Sequence, residues 1–264
     1  MNRLQLLFIN IFFLVFICEL SGQKVPHQLP VVHSIDEAQQ QPAVFIAPNG
    51  KKYNIEFWTD PNEQVTGKPN ISKTTINCND NHFSGSDRKL AKTSNVSSNS
   101  YRSFKQIKNF FTQYKLPSDD SMQHKVTRTS PRISIEKEGV MLDHVYLYAF
   151  KRESDNDYHL IIGDDSTFLH ATLLNTEISG LSISDNSTLD SARNGFLKAL
   201  GINDKSCMSS YVVFINNPVP IHIDGAVFYD IDYLPGTVGP VNGNISLRPK
   251  TSWEVHPIAK FKLR

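Results

Sequence analysis

From Pro131 to the C-terminus the chain alternates apolar and polar residues in short runs, broken once by a helical period. That order narrows the accessible folds more than any other feature of the sequence. The run opens at Ile133-Ser134-Ile135 and continues through Val145, Leu147 and Ala149, which alternate with His144, Tyr146, Tyr148 and Phe150. Asp155-Asn156 supplies turn chemistry, and strands are expected over 157–163 and 168–174. Ser187 then opens a helix, with Leu189, Ala192, Phe196, Ala199 and Leu200 on one face and Gly201 as the stop. Tyr211–Ile215 reads as a short strand leading into a longer one over 221–232, with a bulge expected at Gly225. A proline- and glycine-punctuated loop over 234–251 precedes a last strand over 253–261. That strand is expected to turn Trp253, Val255, Ala259 and Phe261 to one face and Glu254, His256, Ile258 and Lys260 to the other. Three strands, a helix and two strands is the order of a five-stranded Greek-key barrel of the oligonucleotide/oligosaccharide-binding (OB) type. An open sandwich is the alternative, and closure is preferred because it removes the edges of a short sheet.

The preceding residues are unlike this part. Arg3 followed by the apolar run 6–18 and the small residues Ser21-Gly22 reads as a secretory signal peptide over 1–22. The run is shorter than the roughly 20 residues that cross a bilayer, and no later segment is apolar for long enough. A secreted or periplasmic chain without a membrane-spanning helix is expected. In such a compartment Cys78 and Cys207, the cysteines left after cleavage, could pair in a disulfide or remain separate thiols. Residues 23–100 read as an N-terminal extension. It holds a hairpin, 43–47 and 53–58 around Asn49-Gly50, and a disordered linker over 60–100 rich in Asn, Ser and Lys. Residues 101–130 carry a helix opened by Ser103, with Phe104, Ile107, Phe110 and Tyr114 at helical spacing, and a connector to the barrel over 131–264.

Within the barrel, Asp155-Asn156-Asp157-Tyr158-His159-Leu160-Ile161-Ile162 is followed by Phe228-Tyr229-Asp230, by Pro235-Gly236-Thr237-Val238-Gly239-Pro240 and by Trp253-Glu254-Val255-His256-Pro257-Ile258. In kind and order these blocks resemble those of a group of uncharacterised secreted bacterial proteins. The resemblance runs from about Leu142 to Lys262. It implies an OB-like domain and brings no settled activity. The segment 241–247 extends the loop beyond that group's pattern.

Charge excludes one class of function. With 27 Lys and Arg against 26 Asp and Glu the chain has no global field to attract a polyanion, so a charged ligand would need a local site. Two such sites are legible. Tyr146, Tyr148, Tyr158 and Tyr229, with Arg152 and Arg193, are the side chains on which bases or sugars of an extended polymer, or a partner protein, could stack. A secreted binding module is the first functional expectation, with a structural, envelope-associated role also open. The enzymatic alternative rests on Asp157 and His159, on Asp230 and on His256. Carboxylate beside imidazole can act as a general base or hold a divalent cation for phosphodiester hydrolysis, if the strands bring these residues together. No Gly-x-Ser-x-Gly elbow or phosphate-binding glycine loop is present in the sequence.

Overall fold

The computed structural model describes residues 28–61, 87–90, 101–153, 155–167, 171–180, 187–204 and 208–264. The signal-peptide expectation over 1–22 and the pairing of Cys78 with Cys207 fall outside these residues. In chain order the strands are β1 (Val31–Val32), β2 (Ala43–Ile46), β3 (Lys52–Trp58), β4 (Tyr101–Phe104), β5 (Gly139–Arg152), β6 (Tyr158–Gly163) and β7 (Leu173–Ile178). They continue with β8 (Tyr211–Ile215), β9 (Val219–Tyr229), β10 (Val241–Asn242), β11 (Ile245–Ser246) and β12 (Trp253–Leu263). Among the described residues the α-helices are α1 (Asp87–Leu90), α2 (Ile107–Tyr114), α3 (Asp119–Lys125) and α4 (Ser187–Leu200).

The barrel closes as expected. β5 pairs antiparallel with β6 and β6 with β7; β7 runs parallel to β12, β12 antiparallel to β9, and β9 returns to β5. This is a closed five-stranded OB-type barrel with α4 between its third and fourth strands. Alternation sends Leu160 and Ile162 of β6, Leu174 and Ile178 of β7, Val227 and Tyr229 of β9, and Trp253 and Val255 of β12 into the core. The apolar stripe of α4 plugs one end, where Phe196 meets Phe150, Tyr158 and Phe261 at centroid distances of 5.1–5.2 Å. Gly201, at a φ of 63°, ends the helix in the left-handed conformation that glycine adopts without strain.

Several boundaries differ from the sequence reading, each for a local reason. Ser103 and Phe104 belong to β4, which pairs with β5, so the helix begins only at Ile107. Residues 134–137 form a turn of 3-10 helix in place of the first strand segment. Pro220 lies inside β9, opposite Tyr146. The irregularity expected at Gly225 lies across from it, in β12, where the register shifts between Val255 and Ile258 and again before Lys260. Simple alternation therefore fails there, and Ile258 joins Trp253, Val255 and Phe261 in the core while Glu254 and His256 keep the opposite face.

Gly225 is needed at this crossing. A Cβ there would stand 2.4 Å from Val255 Cγ1 and 2.6 Å from the Pro257 carbonyl oxygen. Gly225→Ala is expected to cost about 1–3 kcal/mol through overpacking, measured as a lower urea midpoint at unchanged slope.

The N-terminal hairpin is not a separate unit. β3 pairs with β8 over Asn54–Trp58, and β8 pairs in turn with β5 at Ala149 and Phe150. Phe45, Tyr53 and Phe214 cluster with Phe150, so the extension and the barrel share one core.

Candidate functional site

On β6, β7, β9 and β12 the residues that alternate with the core point to the opposite, outer face of the barrel. There Asp157 precedes β6 and His159 lies on it, Glu177 comes from β7, Asp230 follows β9, and Glu254 and His256 come from β12. A face of this kind is normally wet. Here Asp157, His159, Glu177, Asp230, Glu254 and His256 are each at most 2% exposed, and Lys89 of α1, Arg132 and Tyr233 lie against them.

α1 contributes two cations. Arg88, fully buried, donates from Nη2 to Glu136 Oε1 at 2.5 Å and from Nη1 to the Ser130 and Pro131 carbonyls. Glu136 also accepts from the Ile133 and Tyr229 amides. The neighbouring residue, Lys89, reaches into the cluster. Its Nζ lies 2.9 Å from Asp155 Oδ2, 3.0 Å from Asp157 Oδ2 and 3.0 Å from Glu177 Oε2. Burial opposes that charge, but the three carboxylates outweigh it and raise the Lys89 pKa well above the ordinary value.

Glu177 stands at the centre. Its Oε2 also lies 2.8 Å from His256 Nδ1, and on the next strand His159 is its cross-strand neighbour. His159 Nδ1 is 2.9 Å from the Tyr211 hydroxyl and 3.8 Å from Glu153 Oε1, and its ring stacks on Tyr233 at a centroid distance of 6.5 Å. Arg132 donates to the His256 carbonyl and lies 4.4 Å above the Phe228 ring.

The charges do not balance. Among the described residues five carboxyls, Asp155, Asp157, Glu177, Asp230 and Glu254, face Lys89 and Arg132, and all but Asp155 are almost wholly buried. Burial therefore pushes three of them up: Asp157 and Glu254 well above the ordinary range and Asp230 to about 7. Glu177 is the exception. Burial opposes its charge too, but Lys89 and the adjacent His256 ring overcome it and hold Glu177 well below the ordinary range. Burial draws His256 down, while His159 is raised against burial by the neighbouring carboxylates of Glu153 and Glu177. Among the described residues several buried atoms have neither a hydrogen bond nor an ion pair: Asp230 Oδ2, Glu254 Oε1, and the Nε2 atoms of His159 and His256. Such groups are costly to bury and point to a partner they can meet.

Two ligand sets fit a cation. Asp157, Glu177 and His256 offer one atom each within 4.8 Å of one another, and so do Glu177, Asp230 and Glu254. Glu177 belongs to both. Of the four residues expected to carry catalysis, the structure thus gathers Asp157, Asp230 and His256 around Glu177, with His159 beside it.

The aromatic platform is not there. Tyr148, Tyr158 and Tyr229 are fully buried, and each is used internally. The Tyr148 hydroxyl donates to the Asp165 and Thr167 carbonyls, that of Tyr158 to Asp204, and that of Tyr229 to the Asp119 carbonyl. Arg193 pairs with Asp204 and lies 4.7 Å over the Tyr158 ring, while Arg152 donates to Asn156 and the Asp204 carbonyl. Tyr146, only partly buried, packs against the cluster around Tyr148. Together these six residues offer a ligand no continuous face, because five of them are buried and their hydroxyl and guanidinium groups are taken up by other parts of the chain.

Glu177, Glu153, Arg88, Lys89 and Tyr211 were missed as site residues in the sequence. For Glu177 a signal exists: Leu174 and Ile178 frame an alternation that places residues 175 and 177 opposite the core. No protein-family model, curated protein or solved structure matches the chain.

Proposed function

We propose that the protein is a divalent-metal-dependent phosphodiesterase whose site is the buried cluster around Glu177. The observation that carries this reading is the sharing of Glu177 between two ligand triads. Paired metal sites bridged by a carboxylate clamp the attacking and leaving oxygens of an in-line displacement, the chemistry of phosphatases and nucleases. Oxygen and imidazole donors suit Mg²⁺, Mn²⁺ or Zn²⁺. The unbalanced carboxyls support the same reading, since a dication would replace protons that burial now holds on Asp157, Asp230 and Glu254. His159, oriented by Tyr211 and Glu153, would serve as general base.

Position supports the substrate class. Part of the cluster, Asp157, His159 and Glu177, lies on or beside the second and third barrel strands, whose face OB barrels use to bind oligonucleotides. Export, expected from residues 1–22, would place that polymer outside the cytoplasm.

The test is cleavage of bis(4-nitrophenyl) phosphate and of a labelled single-stranded oligonucleotide by the full chain, with saturating Mn²⁺ or Mg²⁺ or with EDTA. Metal-dependent cleavage that is lost in His159→Ala/His256→Ala is expected. Intact substrates under every condition sink the enzymatic reading. Retention of the oligonucleotide without cleavage would return the protein to the class of binding modules.

A further inference from the structure

If the cluster holds a divalent cation, Lys89 is in its way. The lysine Nζ lies 3.0 Å from Asp157 Oδ2 and 3.0 Å from Glu177 Oε2, the oxygens of two of the three groups in the first triad. A divalent cation would bind such oxygens at roughly 2.0–2.6 Å. Ammonium and metal would then be near-contact neighbours of like charge among buried side chains. They exclude one another.

The origin of Lys89 matters as much as its position. The ligands come from barrel strands or from residues immediately beside them, whereas Lys89 comes from α1, a four-residue helix held, among the described residues, by its neighbour Arg88. The Arg88 side chain anchors it to Glu136 and to the Ser130 and Pro131 carbonyls, and the Arg88 amide donates to the Arg128 carbonyl. Arg132 Nε in turn meets the Arg88 carbonyl. With this anchor in place the flexible four-carbon stem of Lys89 can swing away while α1 stays docked.

On the metal-site reading given above, we propose that Lys89 is an intramolecular competitor of the divalent cation, so that the closed protein is held in a cation-poor, inactive form by its own lysine. The lysine-in form satisfies Asp155, Asp157 and Glu177. The lysine-out form admits the cation. A cation that binds only the second form shifts the equilibrium by its whole affinity, and its apparent affinity is lowered by the fraction of molecules in that form. The site thus stays shut until cation is plentiful, and α1 belongs to its regulation rather than to a linker.

The experiment is Mn²⁺ binding to the full chain by calorimetry, on wild type, Lys89→Met, Lys89→Arg and, as a surface control, Lys262→Met. Lys89→Met should bind Mn²⁺ about tenfold or more tighter than wild type. Lys89→Arg and Lys262→Met should stay near wild type. A second measurement needs no variant: acylation of Lys89 by a water-soluble amine reagent, followed by mass spectrometry, should quicken several-fold when Mn²⁺ is added to wild type. If Lys89→Met does not fold, this labelling decides alone. Equal or weaker Mn²⁺ binding by folded Lys89→Met, or Lys89 labelling unmoved by Mn²⁺ that does bind, overturns the competition and leaves the metal site standing. Absence of Mn²⁺ binding in both wild type and Lys89→Met overturns the metal site and the competition together.

Discussion

Arg88→Met is expected to destabilise the protein by about 3–5 kcal/mol, seen as a fall in the denaturant midpoint. The change removes one member of an ion pair in which both side chains are fully buried, 2.5 Å apart. Glu136 would keep the amides of Ile133 and Tyr229 but lose its counter-charge, and the Ser130 and Pro131 carbonyls would lose a donor. The packing of Arg88 against the Phe228 ring would change as well. Replacing both partners, Arg88→Met with Glu136→Gln, should recover part of the loss, because an uncompensated buried charge is worse than none. If Arg88→Met alone leaves the midpoint within about 0.5 kcal/mol of wild type, the range of ordinary surface substitutions, α1 is not docked as described.

Glu177→Gln should have the largest effect on the proposed chemistry. It removes the one carboxylate common to both ligand triads, so Mn²⁺ binding and metal-dependent phosphodiester cleavage should both disappear. The fold should suffer less than the site. Lys89 keeps Asp155 and Asp157 after the change, and the amide keeps the shape and place of the carboxylate beside His256, so a cost nearer the lower end of the buried-pair range, about 3 kcal/mol, is expected. Calorimetry and denaturation on the same sample separate the two effects. Undiminished Mn²⁺ binding in a folded Glu177→Gln protein would remove the central residue from the proposal.

The barrel was legible in the sequence because its evidence is periodic. The strands alternate apart from the bulged stretch of β12, α4 carries an apolar stripe and a glycine stop, and Asn49-Gly50 marks the hairpin whose turn places Gly50 at a φ of 80°. Half of the site was legible for a similar reason: Asp157 with His159, and Glu254 with His256, recur at the two-residue spacing of one strand face. The rest depends on contacts that no local pattern encodes. Glu177 lies beyond the expected end of the third strand, in a run of Asn, Thr and Glu that reads as polar surface until something covers it. What covers it is α1, and four residues are too few to show a helical period. Arg88 and Lys89 therefore look like ordinary charges in a linker, although Lys89 bonds to residues 66 positions and more along the chain. The aromatic platform failed for the converse reason. Tyrosine on a two-faced strand can be a binding surface or a core residue with a tethered hydroxyl, and only the partners of Tyr148, Tyr158 and Tyr229 decide between them.

The bridging of β3 to the barrel by β8 also sets an order of events during synthesis. The hairpin of β2 and β3 is made early, yet its open edge finds a partner only when residues 211–215 exist, some 150 positions later, as the pairing of Ile55 with Phe214 requires. Until then Phe45, Tyr53 and Trp58 have no complete core to enter, and an exposed strand edge with apolar side chains is what chaperones hold and what aggregates when they do not. A chain cut before β8 should therefore precipitate rather than leave a soluble hairpin, and a barrel freed of its first hundred residues would exchange one unpaired edge for another.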